Sequence, residues 1–442
     1  KDCTQAFNSK NALKGNTTLY ANWQPVYFSI QYQANGGEMP STYLRQYTVE
    51  SVQNSLPVPQ REGWAFGGWY ADSGFKTPIA TAFATEQAQS KDLFARKMKD
   101  SSSVISPFEG NGGFSPSRTN NSNLSALYAM DSLYEINEPV HVKVDLSSDI
   151  TLFAKWFKFN TKIIPKGKYM RSDKSPSVEN VPHDLEVSTT EITRNVYYTV
   201  MGVDPSDNNY STFSTEEEKM ENPVQMVSWF DALVFCNKLS MLNGVQPVYK
   251  IKGSTNPADW GNVPINNDLD WLAVEWDRNA NGFRLPTEQE WMWAAMSGPL
   301  VSVDLDQNGV NTQGWKKKFA GQDLEEAKAS SKLIKNYAWF SNNAKSKTHP
   351  AGLTLANEAG LVDMSGNVWE WCWDAFALYG DEDSDAEGSG NNVGEAYRSI
   401  RGGSWYSFPS YMRVNARLSL NVYGRNQLTG FRVVRTVNKT AP

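Results

Sequence analysis

Side chains able to do covalent or metal chemistry are few and scattered in this chain. Three cysteines (Cys3, Cys236, Cys372) and three histidines (His141, His183, His349) are spread over 442 residues, without the close Cys or His spacing that holds zinc. Between Arg401-Gly-Gly-Ser-Trp405 and Gly430-Phe431-Arg432 lies a stretch, Tyr406 to Thr429, with no Cys, His, Asp or Glu. It supplies neither a thiolate nor a general base near neutral pH. Its residues are of the recognising kind: Tyr406, Ser407, Phe408, Ser410, Tyr411, Asn415, Leu418, Leu420, Asn421, Tyr423 and Asn426. Rings offer contact area, and hydroxyls and amides offer hydrogen bonds. The stretch lacks the apolar alternation of a core strand pair, so Leu418, Leu420 and Tyr423 are expected to form an exposed apolar patch facing a partner.

Whole-chain properties narrow the partner class. The formal net charge is -6 and the pI about 5.4, with the two signs well mixed, which argues against nucleic acid and against an anionic membrane surface. There is no apolar run of about eighteen residues, so direct insertion of this chain into a bilayer is not expected. The aromatic load of 16 Trp, 19 Tyr and 20 Phe suits β-rich or ligand-binding surfaces. The opening Lys1-Asp-Cys3 carries no leader-like apolar stretch, so any export signal or anchor is expected to precede it.

Elements to position such a surface can be read from local pattern. Tyr27 to Gln33 alternates like a strand and runs into Ala34-Asn35-Gly36-Gly37, a turn able to hold positive φ. A glycine-spaced aromatic strand follows at Gly63 to Tyr70. Three similar strand endings recur at Thr18 to Trp23, Asp92 to Lys97 and Thr151 to Trp156. Ser101 to Asn123 is rich in Ser, Asn and Gly and is expected to be a linker. Further on, Ser228 with Asp231 starts an amphipathic helix through Met241, and Thr287 with Glu290 forms the capping box of a second. The rest of this region predicts short strands and packed loops, an α+β arrangement.

Two resemblances sharpen these readings. The combination of Ala34-Asn-Gly-Gly37, the Leu56-Pro-Val-Pro59 to Tyr70 stretch and the closing Leu-Phe-Ala segments resembles the internalin-B-type (Listeria-Bacteroides) repeat of bacterial surface proteins, small β-grasp-like modules strung in tandem. It implies part of a repeat at 1–25, a full repeat at 26–100, and a linker plus degenerate third repeat at 101–157. Five ordered blocks, Thr190-Glu-Ile-Thr193, Asn222 to Trp229, Phe283 to Trp291, Gly360 to Trp371, and the Arg401 to Trp405 and Gly430 to Arg432 frames, resemble the formylglycine-generating-enzyme or sulfatase-modifying-factor family. The resemblance implies a C-type-lectin-like domain over 158–442.

That family's enzymes use two cysteines shortly after the Arg-Gly-Gly-Ser frame, and Ser407 and Met412 stand at those positions here. Neither can provide a thiolate or form a cuprous thiolate, so the oxidative chemistry is expected to be lost. The three-histidine iron site of a related branch has no counterpart. A non-catalytic branch, the variable proteins of diversity-generating retroelements, displays a hypervariable surface between the same two frames. Adenine-directed mutation of Asn codons cannot yield Lys, Glu, Gln, Met or Trp, and from Tyr406 to Thr429 only Met412 and Gln427 break that rule. Arg413, Val414, Arg417 and Arg425 are expected to be retained framework.

The resemblance also implies a structural calcium at Asn367 and Glu370 as oxygen ligands, with no cofactor required. The function implied is recognition of a host or neighbouring-cell surface protein or glycan by a bacterial protein at the cell surface. The alternatives are a sulfur-oxidising enzyme of the same fold and an invariant structural adhesin.

Overall fold

The computed structural model describes residues 25–48, 56–61, 64–75, 78–79, 148–172, 178–322, 333–377 and 394–437. The expected repeat half at 1–25 is outside them but for its last residue, and so are the strand ending Asp92 to Lys97 and the linker from Ser101. The chain divides into two compact units, the second comprising most of the chain from Trp156 onward.

A five-stranded sheet underlies the first unit, although residues 64–67 and 156–158 of its strands group with the second. Its strands are β1 (Phe28–Gln33), β2 (Gln46–Tyr47), β3 (Trp64–Tyr70), β4 (Pro78–Ile79) and β5 (Ile150–Lys158), in the order β2-β1-β5-β3-β4. The turn after β1 forms as its sequence predicts, with Asn35 and Gly36 at φ 49° and 87°. The segment Thr151 to Trp156 lies in this sheet. It pairs in parallel with β1, Ile30 opposite Ile150 through Gln33 opposite Phe153, and its alternating Leu152 and Ala154 are fully buried. Trp69, also fully buried, donates its indole N–H to the Pro57 carbonyl at 2.7 Å. The glycine-spaced aromatic strand is therefore core.

The second unit opens with β6 (Thr161–Ile164), β7 (Gly167–Met170), β8 (Val178–Val181) and β9 (Leu185–Ser188), then α1 (Arg194–Met201), α2 (Glu216–Met220) and α3 (Trp229–Leu242). It continues through β10 (Tyr249–Lys250), α4 (Leu269–Leu272), β11 (Glu275–Trp276), α5 (Glu288–Ala295), β12 (Val310–Asn311) and α6 (Ile334–Tyr337). It ends with β13 (Trp369–Phe376), β14 (Gly394–Arg401), β15 (Arg417–Asn421), β16 (Thr429–Gly430) and β17 (Val434–Thr436).

Both predicted helices start as their capping boxes require. The Ser228 and Thr287 side chains each accept from the amide three residues on, and Asp231 and Glu290 return the bond. The central sheet, β15-β14-β13-β16, lies between them. On one face α3 sends the Trp229 indole to the Cys372 carbonyl at 3.0 Å, and the Arg398 guanidinium lies 4.1 Å from the Trp229 ring. On the other face α5 brings Glu288 to arginines of β14 and β15, and the Trp291 indole to Glu370 of β13. A sheet covered on both faces holds its outer loops rigidly.

Candidate binding surface

The Arg-Gly-Gly-Ser frame works as a reversal of direction. After β14, Gly402 and Gly403 take φ of 93° and 79°, a region that an L side chain enters only with strain. A Cβ at Gly403 would also lie 2.2 Å from the Met412 side chain. The chain thus folds back tightly and Trp405 is pinned from three sides. Its amide donates to the Asn367 carbonyl at 2.8 Å, its indole N–H donates to the Gln427 carbonyl at 3.0 Å, and its ring stacks on Tyr210 at 5.7 Å between centroids.

Beyond Trp405 the side chains alternate between outside and inside. Tyr406 and Phe408 are 56% and 54% exposed, as a recognition loop requires. Ser407, expected to be displayed, is 6% exposed: its hydroxyl oxygen accepts the Ser404 amide at 3.0 Å and lies 3.1 Å from the Ser404 hydroxyl. Tyr411, also expected at the surface, is 8% exposed and sets its ring edge-on to Trp369 at 5.8 Å. Met412 is buried beside them, its carbonyl held by the Ser365 hydroxyl at 2.9 Å.

The apolar patch expected from Leu418, Leu420 and Tyr423 is not free. Arg417 to Asn421 is the edge strand β15, paired antiparallel with β14, and the three side chains are partly buried against the core. The alternation Leu418-Ser419-Leu420 is that of an ordinary half-buried strand, and the sequence reading passed over it. Asn421 and Asn426 shape turns, their side-chain oxygens accepting the amides of Tyr423 at 3.2 Å and Leu428 at 2.9 Å. Ser410 and Asn415 are half-exposed. Of the expected framework residues Val414 is buried, Arg417 pairs with Glu288 and Arg425 with Asp231, but Arg413 is exposed.

Buried ion pairs hold this loop in place. Glu288 accepts from Arg401 Nε and Arg417 Nε, both at 2.9 Å, and again from Arg417 at 2.6 Å. Burial works to raise its pKa, yet the two guanidiniums outweigh it and hold Glu288 at about 2. Its neighbour Asp374 is pushed the other way, to about 6, by burial and by the Glu288 charge. Arg432, of the closing frame, donates from Nε to Glu370 at 2.7 Å.

The calcium expected at Asn367 and Glu370 does not fit this arrangement. The Asn367 side-chain oxygen accepts the His349 amide at 3.0 Å, and its nitrogen donates to Glu191 at 2.8 Å. Glu370 Oε2 receives both Arg432 and, at 2.6 Å, the Trp291 indole. Glu370 Oε1 has no hydrogen-bond partner, but with both polar atoms of the Asn367 side chain engaged the two residues offer a cation one open oxygen rather than a ligand set, and Arg432 already neutralises the carboxylate. Among the described residues no group of three or more Cys, His, Asp or Glu side chains is arranged to hold a metal. The thiols of Cys236 and Cys372 are pushed upward by burial, the reverse of what a reactive thiolate needs. His349 stacks on Trp339 at 3.8 Å, and burial lowers its pKa.

Around the loop the fold gathers segments that no local pattern links to it. Ser341 donates its amide to the Ser407 carbonyl at 3.1 Å, and Tyr210 stacks on Trp405. Sequence reading missed these neighbours because their sequence distance from the loop carries no signal.

A double-glycine reversal, a buried arginine frame and a mixed sheet between two capped helices define a C-type-lectin-like domain, and the chain belongs to the sulfatase-modifying factor enzyme 1-like family, whose model matches residues 158–437. A Listeria-Bacteroides repeat domain matches residues 28–96. A chaperone protein LppX of Paenibacillus barcinonensis is 32% identical over 279 residues, covering 62% of this chain and 88% of that protein. Among solved structures, Treponema denticola variable protein 1 is similar at 31% identity with a TM-score of 0.51, over 64% of this chain and 96% of that one. The formylglycine-generating enzyme of Streptomyces coelicolor is 31% identical over 172 residues, about half of the enzyme (49%) and 36% of this chain. No helix among the described residues is long and apolar enough to cross a membrane.

Proposed function

We propose that the C-terminal domain is a non-catalytic ligand-binding module of a bacterial cell-surface protein, with the repeat region as a spacer and the Tyr406–Phe408 loop as the centre of its recognition face. One observation carries this reading: Tyr406 and Phe408 stand more than half exposed on a loop in which Trp405, Ser407, Tyr411 and Met412 are locked inside. Large rings held out on a rigid support lose little entropy when a partner covers them. Serine and methionine at the positions of the family's cysteine pair support the absence of thiol oxidation. Likeness to a variable protein supports a face whose residues differ between copies, with Tyr406, Phe408, Ser410, Asn415, Asn421 and Asn426 as the varying set.

The test is a screen of the full chain against surface proteins and glycans, repeated with Tyr406→Ala and Phe408→Ala. Ligands found should lose about tenfold or more in affinity with either change, the usual scale for a central aromatic anchor. Ligands indifferent to both changes would place the recognition face elsewhere. Copper- or iron-dependent turnover of a thiol substrate by the purified protein would replace this reading with an enzymatic one. Substitutions concentrated between residues 406 and 427 in sister copies of the gene are expected, and an even spread would rule out diversification of the loop.

A further inference from the structure

We propose that the surface around Tyr406 and Phe408 docks an acidic segment of a partner protein that presents an apolar side chain to the rings. This rests on the ligand-binding reading above and adds the partner's chemistry. Two stretches of chain meet at this surface. Ser341 donates to the Ser407 carbonyl at 3.1 Å, and Asn367 joins both stretches by donating to the Trp339 carbonyl and accepting the Trp405 amide, each at 2.8 Å. Neither stretch contains a carboxylate: there is no Asp or Glu from Leu333 to Leu355, nor from Arg401 to Thr436, although the chain as a whole carries a net charge of -6.

The cations of these stretches divide into two groups. Arg401 and Arg417 are neutralised by Glu288, Arg425 by Asp231, Arg432 by Glu370 and Arg435 by Glu186. Arg413 is exposed one turn beyond Phe408, and Lys335, Lys345 and Lys347 are exposed on the adjoining stretch. None of these four has an ion-pair partner among the described residues. The lysine loop is a fixed structure: Lys345 and Ser346 hold φ of 53° and 60°, and the Ala344 carbonyl accepts both the Lys347 amide at 3.2 Å and His349 Nε2 at 2.9 Å.

A half-exposed phenylalanine, on two adjoining stretches that carry exposed cations and no carboxylate, fits a ligand that brings both carboxylates and an apolar group. A polyanionic glycan would engage the lysines yet leave the Phe408 ring, which has no polar atom, facing water.

The experiment is selection of random peptides by phage display on the full chain, run in parallel on the Y406A/F408A double variant and on K345E/K347E/R413E. Peptides enriched by the unmodified protein should be acidic and carry an aromatic or aliphatic residue. Their affinity should fall about tenfold or more on charge reversal, and should weaken as salt is raised past the range where exposed charges are screened. Neutral or basic peptides that depend on Phe408 would overturn the charge inference and leave the binding face standing. Peptides retained equally by Y406A/F408A would overturn the face itself. Enrichment of nothing, with heparin as the only binder, would replace the acidic protein segment with an anionic glycan.

Discussion

The C-terminal frame and the loop it carries are neighbours in sequence and opposites in chemistry. Arg401, Arg417 and Arg432 are buried, and each is matched to a carboxylate from another element. Tyr406 and Phe408, in the same stretch, are more than half exposed. A buried charge left without its partner is costly, so every frame position constrains several others. An exposed ring carries no buried charge that needs a matching partner, so such positions can change without loss of the fold. The loop that sequence reading treated as a single recognition stretch is thus an interleaving of the two kinds, residue by residue.

The largest effect should come from the frame. Glu288→Ala strands the guanidiniums of Arg401 and Arg417 and is expected to destabilise the domain by about 3–5 kcal/mol, read by chemical denaturation. Retention of wild-type stability would mean that water enters and the frame is not rigid.

Next is the pH response of the same region. Asp374, with a folded value of about 6 against about 3.9 when unfolded, adds stability below pH 4 that is lost as pH rises through 6, about 3 kcal/mol in all. Glu288, held at about 2, acts with the opposite sign: its contribution is present above pH 4 and disappears as pH falls towards 2. Stability should therefore peak at mildly acidic pH, and Asp374→Asn should flatten the decline between pH 4 and 7 in a denaturation series. An unchanged slope would remove Asp374 as its source.

Leu420 and Phe408 test the comparison side chain against side chain. Leu420→Ala, cutting into the sheet's packed face, is expected to cost about 1–2 kcal/mol. Phe408→Ala should change stability by less than about 0.5 kcal/mol while removing ligand binding. A large stability loss for Phe408→Ala would make that ring part of the frame.

Much of the scaffold was legible before the structure. Capping boxes at Ser228 and Thr287 identified their helices because capping involves residues only three apart. The helix at Arg194 went unread although Thr193 caps its start and Gly202, at φ 81°, its end. Eight residues are too few for apolar periodicity to stand out. The candidate site was legible only in part. Tyr406 and Phe408 are exposed, as display requires, whereas Ser407 and Tyr411 are buried although they look equally suited, because residue type does not report which way a side chain points in an irregular loop.

By itself, the sequence determined what depends on neighbours along the chain: the caps, the strand alternation of the repeat and the glycines at the reversal. Only the tertiary structure decided that Glu288 meets arginines 113 and 129 residues away, and that Thr151 to Trp156 closes the first sheet. It also decided that the Asn367 side chain is engaged by His349 and Glu191 and that Glu370 is paired with Arg432. The physical reason is the same in each case. A cap or a strand face is selected by local geometry, whereas the partner of a buried charge is selected by whatever the packed fold brings within hydrogen-bonding distance.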